Sequence, residues 1–144
     1  MIFNKIQVEA TFKSLGELAD LLDKHRVLEA KASIVFEKSK EQLITLGRRK
    51  IMTFRLLPEF EANKFRNLVS GEFDEEREKA ALDEALENDM EFIEAWGRNY
   101  DLQEAYYVER AKVLAFFDKL SATRSQARLI SATLEYLADE EQHA

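Results

Sequence analysis

The chain has 144 residues, the usual length of one domain, so we expect residues 1–144 to form a single domain. An apolar content of 46% is enough for a core and excludes wholesale disorder. The absence of cysteine excludes disulfides, thiolate catalysis and cysteine-based zinc sites. The net charge of −7 disfavours general attraction to nucleic acid or anionic membrane. We find neither a signal peptide nor a membrane-spanning apolar run, and we expect a cytoplasmic protein.

The N-terminal third predicts an arm followed by a long helix. Residues 2–12 alternate weakly between apolar and polar, and we interpret residues 1–13 as an arm. Ser14 and Glu17 have the spacing of a capping box, and apolar steps of three and four then predict a helix over about residues 14–46. The stripe consists of Leu15, Leu18, Leu22, His25, Glu29, Ala32, Phe36, Ser39, Leu43 and Leu46. A second stripe through Leu21, Leu28 and Val35 indicates a second neighbour for this helix.

Three polar residues interrupt the main stripe, namely His25, Glu29 and Ser39. A pure coiled coil rarely tolerates that many polar positions in its seam. We therefore predict an all-α protein, a bundle of four to five helices with a long first helix. Part of the first helix is expected to project or to pair with a second chain.

Isolated glycines and one proline divide the middle of the chain. Gly47 is predicted to end the first helix, and Pro58 to start or kink the next element. Gly71 ends that element, and Asp74 is predicted to cap a third helix that runs to Gly97.

The C-terminal third predicts two more helices. Asp101 and Glu104 form a capping box for a helix over about residues 101–121. The polar segment 121–125 predicts a break, a last helix begins at Thr123, and residues 139–144 are predicted to fray. The predicted core consists of Leu22, Phe36, Leu86, Ile93, Val113, Phe117, Leu120, Ile130 and Leu134.

The residues do not form a recognisable catalytic or metal-binding pattern. A di-iron bundle needs two Glu-x-x-His motifs, and only Glu140 and His143 have that spacing. The other histidine, His25, is interpreted as a seam residue hydrogen-bonded to a neighbour, with a pH-sensing role as the alternative. Ser14, Ser70, Ser121 and Ser125 lie at predicted helix ends or in the predicted break, and no glycine-rich phosphate loop exists. We predict no enzymatic activity, no metal and no cofactor.

Two neighbouring segments of opposite charge are the best candidate site. Residues 47–71 carry a net charge of +4, and residues 72–96 carry −9. The basic segment either pairs with the acidic helix or docks onto phosphate or an acidic protein surface; the acidic segment is either solvated or docks a basic partner. The candidate partner-binding residues are Arg48, Arg49, Lys50, Arg55, Asp74, Glu75, Glu76 and Glu78.

These features favour a non-enzymatic helical protein of the adaptor, chaperone or regulator type. We expect it to bind another protein and to form a homodimer through its long first helix. One alternative is a nucleic-acid-associated regulator that uses the basic cluster 48–55. A second alternative is a bundle that binds a small ligand among its aromatic residues. Those residues are Trp96, Tyr106, Tyr107, Phe116 and Phe117.

Overall fold

The computed structural model describes residues 4–143, and these are almost entirely helical. The first helix, α1, spans Lys5–Arg55, and two 3-10 turns follow at Pro58–Phe60 and Ala62–Phe65. The second helix, α2, spans Glu75–Glu87, and the third, α3, spans Met90–His143. The predicted all-α class is confirmed. The predicted count of four to five helices is wrong, since the described residues form three α-helices.

The chain divides into two compact units. Unit 1 comprises residues 1–32 and 106–144, and unit 2 comprises residues 33–105. Within unit 1, the α1 and α3 segments run antiparallel, because His25 contacts Glu109 while Phe12 shares a cleft with Ala127. Within unit 2 they also run antiparallel, because Ser39 contacts Asn99 while Arg49 contacts Glu91. The expectation of a single domain stays a prediction.

The first helix begins at Lys5, nine residues earlier than the sequence pattern predicted. Asn4 caps it, because its side-chain Oδ1 accepts from the backbone N–H of Gln7 at 2.8 Å. The Gln7 side chain accepts in return from the backbone N–H of Asn4 at 3.2 Å. This reciprocal pair is a capping box at the true helix start, whereas Ser14 and Glu17 lie inside the helix. Residues 5–13 are therefore helical where we expected an arm.

Several predicted helix stops lie inside helices. Gly47 is a buried residue of α1, and Gly97 is a residue of α3. A glycine inside a helix costs only about 1 kcal/mol, which the long apolar seams on either side outweigh. The predicted break at 121–125 is absent because its hydroxyls bond to the helix itself: Thr123 donates to the Lys119 carbonyl at 2.8 Å. The helix also continues to His143, through most of the segment predicted to fray.

Both ends of α2 and the start of α3 lie within the acidic segment 72–96. Asp74 caps α2 as predicted, accepting from the Arg77 backbone N–H at 3.1 Å. That helix ends at Glu87 rather than continuing to Gly97, and Asp89 caps α3 by accepting from the Phe92 N–H at 2.9 Å. The element that was predicted to end at Gly71 ends at Phe65 instead, and Gly71, with a positive φ of 69°, closes a turn by donating its N–H to the Asn67 carbonyl.

The seam of unit 1 follows the predicted stripe of α1. The predicted core residues Leu22, Leu120 and Ile130 are buried, with exposures of 1–3%. Phe117 is a correction, because it is 45% exposed and its neighbour Phe116 faces the seam instead. The helix places successive residues about 100° apart, so an error of one position exchanges an inner for an outer side chain. Ile93, at 41% exposure, is a second correction.

Unit 2 has a small core of its own. Phe65 and Leu82 are buried, and the rings of Phe54, Phe60 and Phe65 stack in sequence with centroids 6.2 Å apart. These aromatic contacts attach the 3-10 turns to the end of α1. Of the two predicted alternatives for Pro58, a start or a kink, the structure shows a start, but of a three-residue 3-10 turn rather than a helix.

We expect Gly16→Ala and Gly97→Ala each to stabilise the protein by about 1 kcal/mol, because alanine is the better helix former at an interior position. A Cβ added to either glycine meets no atom within 4 Å. Urea unfolding followed by circular dichroism measures the gain. Gly71→Ala is the matched control and is expected to lose about 1 kcal/mol, since its φ is positive. A loss of stability in both helix variants would contradict the helical assignment there.

Candidate partner-binding surfaces

The basic and acidic candidate residues meet inside unit 2. Arg49 donates to Glu91 at 3.1 Å, and Arg55 donates to Glu78 at 3.0 Å. Lys50 lies 2.7 Å from a Glu91 oxygen and 3.3 Å from an Asp89 oxygen. The end of α1 is thereby tied to both α2 and the start of α3. Of the two alternatives for the basic segment, the ion pairs with the acidic segment are therefore present.

These ion pairs shift the pKa values of their members. Glu91 raises the pKa of Lys50, chiefly through the hydrogen bond between them. The same bond lowers the pKa of Glu91. The pKa of Asp89 is lowered first by the backbone N–H of Phe92 and then by Lys50. All three groups are therefore held in their charged forms at neutral pH.

The remaining candidate residues lie outside this network. Arg48, Glu75 and Glu76 are exposed and make no ion pair or side-chain hydrogen bond within residues 4–143. Asp74 uses its carboxylate to cap α2. A phosphate group at the basic cluster would thus meet one unpaired cation, Arg48, and would have to compete with carboxylates for the other three.

A polar pair crosses the seam of unit 1. The Nδ1 of His25 lies 3.0 Å from Glu109, and the imidazole stacks on Phe116 with ring centroids 5.1 Å apart. Glu109 also accepts from Lys112 at 3.2 Å, and its pKa is lowered chiefly by His25. The interpretation of His25 as a hydrogen-bonded seam residue is confirmed. The polar interruptions of the α1 stripe are tolerated because polar residues of α3 lie opposite two of them, Glu109 opposite His25 and Asn99 opposite Ser39.

One flank of unit 1 carries an exposed row of uncharged side chains, and the charged residues Glu17 and Lys119 lie beside it. Its members recur every seven residues along α3 and are Val108, Ala115, Ala122, Leu129 and Tyr136, which we call the α3 stripe. Val108, Leu129 and Tyr136 are 52–63% exposed. Leu21 of α1 lies next to it, since Leu21 and Ala122 line the same cleft of about 380 Å3. The sequence pattern indicated Leu21 and Leu28. The α3 stripe was not predicted, although its members recur every seven residues in the sequence.

The other flank of unit 1 holds a cleft of about 430 Å3. Phe12 and Leu15 form its α1 side, and residues 124–135 of α3 form the other side. Arg124 and Arg128 lie one helical turn apart along this side. Phe12 follows the seam residue Thr11, whereas Leu21 precedes the seam residue Leu22, so the cleft and the α3 stripe occupy opposite flanks.

The aromatic residues considered as a small-ligand pocket do not line one cavity. Phe116 faces the seam of unit 1, whereas Tyr107 and Phe117 are 48% and 45% exposed. Trp96 belongs to unit 2, where it stacks on Tyr100 with ring centroids 5.6 Å apart. Their positions agree with structural roles on several faces of α3.

No family model, curated protein or solved structure matches the chain. None of the helices within residues 4–143 combines the length and the apolar character that a membrane crossing requires.

Proposed function

We propose that this chain is a non-enzymatic, cytoplasmic helical protein that binds other proteins and works as a homodimer joined through the α3 stripe. The observation that carries the proposal is the stripe itself. Five successive heptad positions on one exposed flank are apolar, in a chain of which 34% is charged. A solvated helix face ordinarily carries charges at such positions, whereas a face that packs on another helix does not.

The stripe complements itself when two copies run antiparallel about a two-fold axis. Placing the axis at Ala122 sets Ala115 opposite Leu129 of the second copy and Val108 opposite its Tyr136. Ala115 and Val108 then each face a larger side chain, the arrangement that lets facing helices interdigitate, and Ala122 faces its own copy. The same patch serves both chains, as a closed two-fold interface requires.

The first helix contributes the edge of this surface rather than its centre. Leu21, which is 38% exposed, lines a cleft with Ala122 of the stripe. Leu28, which is 37% exposed, lies seven residues further along the same face of α1. The first helix is not longer than every other helix, because α3 has 54 residues and α1 has 51. The support for the dimer comes instead from the uncharged side chains of the α3 stripe, beside which Lys119 lies on the same flank.

The absence of enzymatic activity is part of the proposal. The shifted pKa values of Lys50, Asp89, Glu91 and Glu109 belong to groups paired between helices. Within residues 4–143 none of these groups forms a hydrogen bond with a serine or threonine that it could activate. The nucleic-acid alternative draws less support, because carboxylates already engage Arg49, Lys50 and Arg55.

Light scattering of the wild type is expected to give twice the mass of one chain at both low and high salt, because apolar contacts hold the interface. Ala122→Glu places two carboxylates at the proposed axis and is expected to give a single chain. Ser125→Glu adds the same charge to an exposed position off the stripe and should leave the dimer intact. A monomeric wild type, or an Ala122→Glu variant that stays dimeric, would refute the proposal.

Cross-linking tests the register independently. Because the chain has no cysteine, a single introduced thiol reports one position without ambiguity. Ala122→Cys should form a disulfide with its own copy under mild oxidation, since residues on a two-fold axis face each other. Ser125→Cys should remain reduced. A dimer in which Ser125→Cys cross-links and Ala122→Cys does not would place the axis on another face.

A further inference from the structure

The cleft on the other flank of unit 1 combines an apolar floor with two arginines. Ala127 at its base is 7% exposed, and Phe12, on the opposite side, is 47% exposed. Ser131 and Ala132 also line the cleft, and their small side chains leave it open along two turns of α3. The cleft is an open groove of about 430 Å3 on the surface of unit 1. We call this surface the arginine cleft.

Arg124 and Arg128 have no carboxylate partner. Both are exposed and make no ion pair or side-chain hydrogen bond within the described residues. Arg49 and Arg55, in contrast, are each bound to a glutamate at about 3 Å. The two guanidinium groups lie one helical turn apart beside an apolar surface. Each can donate two parallel hydrogen bonds to a carboxylate.

We propose that the arginine cleft binds an acidic amphipathic helix of a partner protein. Two carboxylates four residues apart on that helix would pair with Arg124 and Arg128. An apolar side chain between them would enter the cleft against Phe12 and Ala127. This inference rests on the proposed role as a protein-binding protein and names the chemistry of the partner, but it uses a surface separate from the α3 stripe.

A carboxylate at one end of the cleft favours an acidic helix over a nucleic acid strand as the ligand. Glu135 lines the same cleft and has no ion pair within the described residues. A nucleic acid strand would extend its phosphates towards this carboxylate and into the field of a chain with a net charge of −7. A helix can instead present a lysine or a neutral residue at that point, so charge complementarity favours a protein ligand.

A labelled peptide tests the proposal on the full-length chain. The probe is a 14-residue amphipathic helix of leucine and glutamate, with glutamates four residues apart, and its binding is followed by fluorescence anisotropy in about 150 mM salt. A leucine–glutamine peptide of the same pattern is the neutral comparison. We expect the acidic peptide to bind about tenfold more tightly, because it alone forms charge-assisted hydrogen bonds.

Variants locate the binding. Arg124→Gln with Arg128→Gln should weaken the acidic peptide by about tenfold and leave the neutral peptide unchanged. Arg48→Gln removes an exposed arginine without an ion pair in unit 2 and is the matched control, expected to bind as the wild type does. Equal binding of the acidic peptide by the double variant and the wild type would overturn the proposal. It would also be overturned if a 14-nucleotide strand bound the wild type more tightly than the peptide and did not bind the double variant.

The oligomeric state separates this inference from the dimer. The double arginine variant should keep the mass of the wild type in light scattering and its helical circular dichroism. If that variant became monomeric, the arginine cleft would be a contact between two copies of the chain. The proposal that it binds a helix of a partner protein would then be wrong. If Ala122→Glu became monomeric and still bound the acidic peptide, the two surfaces would be independent, as proposed.

Discussion

Ile130→Ala is expected to lower the free energy of unfolding by about 2–5 kcal/mol, since it removes three carbons from a well-packed site and leaves a cavity. Ile130 is 1% exposed, the lowest exposure among the described residues of unit 1. Its neighbours in the seam, Leu120 and Ala127, are also buried. Few residues of unit 1 are so completely buried, so the loss is large compared with the marginal stability of a folded protein. Urea unfolding followed by circular dichroism at one fixed chain concentration gives the value.

Leu114→Ala provides the matched control for the cavity argument. Leu114 lies on the same helix and in the same unit but is 56% exposed, and its truncation is expected to cost less than about 1 kcal/mol. The two variants lose similar apolar volume, so their difference isolates the burial of Ile130. Equal losses would show that the seam of unit 1 does not pass through Ile130.

The inner face of α1 was predictable because heptad spacing leaves a strong signal. The alternation of three- and four-residue steps from Leu15 to Leu46 places one face of a helix against a neighbour, whatever that neighbour is. The same signal is present in α3, where Phe116, Leu120, Ala127 and Ile130 follow the same steps. Phe117 was predicted in the core because Phe116 and Phe117 are adjacent and equally apolar. Only the positions of the other seam residues along the whole helix show which of the two faces inward.

Helix ends were harder to predict because local signals compete with the seam. A glycine or a polar pair marks a stop only when the helix gains nothing by continuing. At Gly47 and Gly97 the seam continues on both sides, and the small cost of glycine does not end the helix. The true starts at Asn4 and Asp89 were marked by capping side chains. Each competes in the sequence with several similar cap patterns, such as those at Ser14 and Asp101.

The candidate site was predictable in composition but not in pairing. Opposite charges in adjacent segments predicted contact between them, and Lys50 with Glu91 is such a contact. The partner of each cation depends on where α2 ends and α3 begins, a boundary that a single residue, Asp89, sets. Arg124 and Arg128 were missed because isolated arginines on a charged helix carry no signal until Phe12 is placed beside them.

Asp89→Ala is expected to lower the free energy of unfolding by about 1–3 kcal/mol, the combined loss of a helix cap and an ion pair. One carboxylate oxygen accepts from the Phe92 N–H at 2.9 Å and caps α3. The other lies 3.3 Å from Lys50, and the Asp89 side chain is only 17% exposed. The substitution therefore removes the start of α3 and one of the two carboxylates that hold Lys50. Urea unfolding at pH 7 measures the loss.

Asp89→Asn separates the two contributions, because asparagine caps a helix about as well as aspartate but carries no charge. We expect it to lose less than half as much stability as Asp89→Ala. The pKa of Asp89 is lowered in the folded protein, so its ionic contribution is present above the unfolded pKa of about 3.9 and disappears as the pH falls through the folded pKa. The stability difference between wild type and Asp89→Asn should therefore shrink from pH 6 towards pH 2. A difference that is constant over this range would show that Lys50 gains nothing from the charge of Asp89, and that the residue acts as a cap alone.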